Sequence, residues 1–82
     1  MRRLGVVENI AYDGSLVVRA GFAPERGTSI LDRRKRPLGR VARVFGPVTE
    51  PFVSVRPQAA PALALIGADV FVDEVDHARK ED

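Results

Sequence analysis

Two prolines four residues apart, with a Gly-Pro step at the first of them, constrain this chain more than any other feature. They lie in Leu38–Val55, which runs Leu-Gly-Arg-Val-Ala-Arg-Val-Phe-Gly-Pro-Val-Thr-Glu-Pro-Phe-Val-Ser-Val. Proline has no N–H to give to a sheet ladder, so Pro47 and Pro51 set where pairing stops and where it restarts. Gly46 opens backbone angles closed to other residues. The stretch therefore reads as strand, rigid elbow, strand, with Pro47, Val48, Pro51 and Phe52 held near one another. It carries no catalytic group, so the first question is what it binds.

The strands on either side differ in clarity. In Phe52–Arg56 the alternation is clean: Val53 and Val55 share one side, Phe52, Ser54 and Arg56 the other. If the valines face the core, Phe52 points outward beside Pro47 and Pro51. Two readings of Phe52 follow, an exposed protein contact or a cap on one end of a barrel. In Gly39–Phe45, strict alternation groups Arg40, Ala42 and Val44 against Val41, Arg43 and Phe45, unless a bulge shifts the register.

The remainder of the chain is also built of short strands. Leu4–Ala11 and Leu16–Ala20 flank Tyr12-Asp13-Gly14-Ser15, and Asp-Gly between β-rich runs is a strong hairpin signal. Alternation puts Leu4, Val6, Glu8 and Ile10 on one face of the first strand and Val7 on the other. In the second, Leu16 and Val18 oppose Val17 and Arg19. A loop over 21–27 leads to a short third strand, Thr28–Asp32, with Ile30 and Leu31 on opposite sides. Pro61–Leu65 suits one helical turn, ended by Gly67. Asp69–Asp73 is the last strand, with Val70 and Val72 on one face. Six short strands, regular turn signals and almost no helix predict an all-β fold, a small closed or nearly closed barrel. Closure also removes exposed strand edges. The expected organisation is one barrel domain over 1–73 and a charged, fraying tail over 74–82.

Composition excludes several function classes. Eighty-two residues support one small domain with a thin core, burying about 60% of the unfolded surface. Without cysteine there is neither a disulfide framework nor a thiolate metal site. The one histidine, His77, sits in the charged tail with no second histidine to join it. The carboxylates are scattered, and no Gly-rich phosphate cradle is present. No apolar run reaches the roughly 20 residues of a membrane span. The expectation is a chain that is not an enzyme, with no metal and no cofactor.

Charge is uneven along the chain. Residues 1–60 carry eleven Arg and Lys against five Asp and Glu, whereas 61–82 carry two against six. The centre of the basic half is Arg33-Arg34-Lys35-Arg36, a turn of four mutually repelling cations. They stand in water, or they meet an anion such as RNA or an acidic partner. No aromatic interrupts them, so base stacking is not supported there.

Several segments together resemble the Gar-family subunit of H/ACA ribonucleoproteins in its archaeal form. The carrying residues are Leu4-Gly5-Val6-Val7, Asp32 ahead of the basic turn, Leu38-Gly39-Arg40-Val41, and Val44-Phe45-Gly46-Pro47-Val48. Pro51-Phe52-Val53-Ser54-Val55 and Gly67-Ala68-Asp69-Val70-Phe71-Val72 complete the pattern, over about residues 3 to 73. The resemblance implies a six-stranded β-barrel like the second domains of translation factors. It implies an accessory role in a box H/ACA RNA-guided pseudouridine synthase complex that acts on rRNA. The subunit would dock on the catalytic domain of the archaeal synthase, help position its thumb loop, and promote substrate loading and product release. The synthase would supply the catalytic aspartate. Contact with the guide RNA and other subunits would be indirect, with no membrane partner, in the archaeal cytoplasm. Carried onto this chain, the contact patch would be Phe45, Gly46, Pro47, Val48, Pro51 and Phe52. Eukaryotic members carry arginine-glycine tails, and this sequence has none. The rival reading is a small basic barrel of ribosome assembly or translation that binds RNA directly. It would use Arg33, Arg34, Lys35, Arg36, Arg40 and Arg43 as phosphate contacts.

Overall fold

The computed structural model describes residues 1–58 and 63–73. Six strands, β1 (Arg2–Ile10), β2 (Leu16–Ala20), β3 (Ser29–Leu31), β4 (Pro37–Phe45), β5 (Phe52–Pro57) and β6 (Asp69–Val72), close into one barrel. Around the barrel the order is β1-β2-β5-β4-β3-β6, and every neighbouring pair is antiparallel. The all-β, six-stranded barrel expected from the sequence is the observed fold. The expected tail over 74–82, with His77, and the start of the helical turn at Pro61 lie outside the described residues. A 3-10 turn at Leu63–Leu65 precedes β6, and Gly67 follows it with φ +89°.

The core is aliphatic. Leu4, Val7, Leu16, Val18, Ala20, Ile30, Val41, Val53, Val55, Val70 and Val72 form one buried cluster. No charged or polar residue is buried among those described. Val53 with Val55, Leu16 with Val18, and Val70 with Val72 point inward as their alternation predicts.

β1 departs from strict alternation. Leu4 and Val7 are both buried, Val6 is half-buried, and Glu8 is exposed. The expected face of Leu4, Val6, Glu8 and Ile10 is therefore wrong. The register of β1 shifts between Arg3 and Gly5 against β6, and between Val7 and Asn9 against β2. Each irregularity re-aims the side chains that follow it. The same happens in β4, whose register against β5 shifts between Val41 and Arg43. Val41 stays in the core, while Arg43 and Phe45 face outward opposite Ser54 and Phe52.

Curvature also needs backbones to approach closely. A Cβ built on Gly39 would run into the backbone of Arg56 and Pro57 on β5. One on Gly5 would meet the backbone of Arg19 and Ala20 on β2. Glycine at these two buried strand positions lets neighbouring strands pass without being wedged apart.

Candidate functional site

The β4–β5 connection spans residues 46–51. Gly46 has φ +89°, a conformation L side chains rarely adopt. An added Cβ there would lie 3.1 Å from Phe52 Cδ2. Pro47 to Glu50 are exposed, and Val48 is 96% exposed. Pro51, by contrast, is buried, and its carbonyl accepts a 2.9 Å hydrogen bond from the Ala20 N–H. Pro51 is thus an anchor tying the elbow to the end of β2 and offers no surface for contact.

Phe52 points away from the core, opposite Phe45 on β4 and Arg19 on β2. The Phe45 and Phe52 rings stack with centroids 5.8 Å apart and planes 24° apart. The guanidinium of Arg43 lies 5.1 Å from the Phe45 ring centroid, within cation–π range. Phe45 remains 38% exposed and Phe52 is half-buried. Of the six residues expected in the patch, the structure brings Phe45 and Phe52 together in one stack. It sets Gly46 under Phe52, leaves Pro47 and Val48 exposed, and buries Pro51.

The basic turn lies at the other end of β4. Eight residue steps at about 3.3 Å place Pro37 roughly 26 Å from Phe45, so the two candidate sites are separate surfaces. The turn is built on Asp32. Its Oδ1 accepts the Arg34 N–H at 2.8 Å and the Arg36 N–H at 2.9 Å, and its Oδ2 accepts Arg36 Nε–H at 2.9 Å. The Lys35 N–H donates to the Asp32 carbonyl at 2.9 Å, and Lys35 takes φ 65°. The Arg36 N–H, helped by desolvation-opposing bonds from Arg34 and the Arg36 side chain and by its charge, holds the Asp32 carboxyl below its ordinary 3.8. Arg33 approaches Asp69 Oδ2 at 3.5 Å, and Arg3 pairs with Asp69 Oδ1 at 3.0 Å. Two of the four cations therefore meet anions of this chain. The side chains of Arg34 and Lys35 have no ion-pair partner among the described residues.

The other two cations of the direct-RNA reading lie on the barrel wall. Arg40 Nη1–H donates to the Gly27 carbonyl at 2.9 Å, and Arg43 covers Phe45. Arg56, which no candidate set included, stands directly opposite Arg40. Its outward direction was legible in the alternation with Phe52 and Ser54; its neighbour was not. A pocket of about 230 Å³ between Arg2, Phe22, Pro24 and Val72 is lined by none of the candidate residues. No group of three His, Cys, Asp or Glu able to hold a metal occurs among the described residues, and no helix there is long and apolar enough to cross a membrane.

The family described as the Gar1/Naf1 RNA binding region matches residues 1–80. The chain belongs to that family. The Gar1/Naf1 family is one of H/ACA ribonucleoprotein components, accessory and RNA-binding, not a catalytic family. In structure, the chain superposes on the Gar1 domain of Naf1 with a TM-score of 0.71 at 19% identity, covering 87% of this chain and 82% of that one. That likeness shows a shared barrel fold. An uncharacterized protein of Methanothermobacter thermautotrophicus is 25% identical over 60 residues, which are 73% of this chain and 65% of that protein.

Proposed function

We propose that this chain is the non-catalytic accessory subunit of a box H/ACA RNA-guided pseudouridine synthase complex, in the cytoplasm of an archaeal cell. It docks on the catalytic domain of the synthase through the tip of the β4–β5 hairpin. One observation carries this reading: an exposed apolar side chain, Val48, on an elbow held from both sides. Gly46 and the Phe45–Phe52 stack brace one side, and buried Pro51 the other. A surface already held in shape loses little conformational entropy on binding. Phe45, Pro47, Val48 and the edge of Phe52 are the contact residues, Gly46 and Pro51 the supports.

The mechanism is a population shift. The tip binds one arrangement of the synthase's thumb loop better than another, and moves the loop by no more than that difference in affinity. Substrate loading and product release then change, while the chemical step, made by the synthase's own aspartate, does not. The docking unit is the single barrel domain over 1–73, which the charged tail over 74–82 follows.

Val48→Asp tests the site cleanly, because a side chain 96% exposed contributes nothing to the core. In calorimetry against the synthase without RNA, the substitution should weaken binding by about 30-fold or more, as for a residue at an interface centre. Unchanged binding by Val48→Asp would remove the hairpin tip as the interface.

A further inference from the structure

On its β3 side the barrel covers only part of β4. β4 runs for nine residues and β3 for three, so their register ends at Arg40, opposite Ser29. The β2–β3 loop carries the pairing one residue further. The Val41 N–H donates to the Thr28 carbonyl at 3.0 Å, and the Val41 carbonyl accepts the Gly27 N–H at 2.8 Å. Beyond Val41, no backbone group of the described residues bonds β4 on this side.

The ladder on the other side decides which groups are left open. The Pro51 carbonyl turns toward β2, to the Ala20 N–H. By alternation Val53 and Val55 also direct their backbone groups to β2, and Phe52, Ser54 and Arg56 direct theirs to β4. Arg43 and Phe45, opposite Ser54 and Phe52, therefore bond across to β5. Val44, opposite Val53, does not: its N–H and C=O point off the barrel, and the residue is 36% exposed. An open strand edge is a template for another strand.

This edge is complementary to itself. Let a second copy lie antiparallel, with the two-fold axis at Val44. The two Val44 residues then exchange both N–H···O=C bonds. Arg43 falls opposite Phe45 of the second copy, and Phe45 opposite its Arg43. Cations are thus set against rings and not against each other, and within one chain the Arg43 guanidinium already stands 5.1 Å from the Phe45 ring centroid. Ala42 meets Gly46 of the second copy, where no side chain intrudes. Gly46, at φ +89°, turns each chain toward its own β5, and Pro47 has no N–H to prolong the ladder. The pairing therefore ends before it meets the β2–β3 loop at Gly27. A register one step away would set Val44 against a residue whose groups already bond β5.

We propose that the chain pairs with a second copy of itself through the open edge of β4, residues 42–46, as an antiparallel pair centred on Val44. The contact uses few residues beside the roughly 20 a side of a stable interface, so the dimer is weak and reversible. It does not rest on docking to the synthase.

The test is NMR of the full chain alone. On dilution from about 1 mM, the Val44 amide should shift most among the β4 signals. In a mixture of isotope-labelled and unlabelled chain, a filtered experiment should show a contact between the Arg43 and Phe45 α-protons of different copies. Those protons face each other across a non-hydrogen-bonded pair. Val44→Pro should abolish both signals. The N–H it removes bonds nothing in the barrel, and proline is tolerated on an edge, so far-ultraviolet circular dichroism should be unchanged. The contact between copies is read in the wild type, so the proposal does not depend on that variant folding. A chain that sediments as a monomer at about 1 mM overturns the proposal. So does a dimer that persists in folded Val44→Pro, or a contact between copies on another surface. A monomeric chain whose Val44 amide shifts only when an extended segment of another protein is added gives the edge to that segment, and also overturns self-pairing. None of these results bears on the docking reading, which is measured with the synthase and through Val48.

Discussion

Gly46 carries two constraints at once, a positive φ and a 3.1 Å limit against the Phe52 ring. Gly46→Ala meets both, so it should destabilise the barrel by about 1–3 kcal/mol in urea unfolding. It should also change the near-ultraviolet signal of the phenylalanines as the stack with Phe45 is disturbed. Asp32 is the other residue on which a local shape depends. Its carboxyl is held below its ordinary 3.8, first by the Arg36 N–H. A lowered folded value means that the stabilisation is present above the unfolded value and is lost as pH falls through the folded one. The Arg34 and Arg36 amide signals should therefore move together as pH drops below about 3.8. In Asp32→Asn that titration should be absent. An unchanged acid titration in the variant would assign it to another carboxylate.

Among the elements, β4 bears the most weight. It pairs with β3 and β5, carries the outward Arg40, Arg43 and Phe45, and ends at the hairpin tip. Its course depends on Gly39, where a Cβ would collide with the backbone of Arg56 and Pro57. Backbone cannot rotate away as a side chain can. Gly39→Ala should therefore cost about 3 kcal/mol, the upper end for overpacking, seen as a lowered urea midpoint. It should also separate Arg40 from Arg56. The irregular step between Val41 and Arg43 explains why simple alternation fails along β4: the extra residue turns Arg43 and Phe45 outward while Val41 stays in. In β2, β5 and β6, which have no such step over their inward residues, alternation alone identifies the core.

For the whole molecule, closure of the barrel makes one cooperative core of eleven buried residues. Leu16 is fully buried within it. Leu16→Ala should cost about 2–5 kcal/mol, and the transitions followed by far-ultraviolet circular dichroism and by the near-ultraviolet signal of the stacked Phe45 and Phe52 should coincide in the variant as in the wild type. Separate transitions would show that the barrel unfolds in parts. The same closure places the basic turn and the apolar tip at opposite ends of β4, on different parts of one small body.

Local chemistry alone determined a good deal of this protein. Asp13-Gly14 marked the hairpin, Gly46-Pro47 and Pro51 bounded the elbow, and valine alternation assigned β5 and β6. Turn sterics and the two-residue period of a strand act over a few neighbouring residues, so they are written in the chain. The spacing of those segments also pointed to the family. Tertiary structure decided the rest. It buried Pro51 by bonding its carbonyl to Ala20, set Asp32 and Asp69 against half of the basic turn, and placed Arg56 across from Arg40. It also broke the alternation of β1 and β4 at their register shifts. Register in a closed barrel is fixed by partners such as β2 with β5 and β3 with β6, which are distant in the chain. Which cation meets an anion, and which stays unpaired, follows from that register and not from any pattern along the strand.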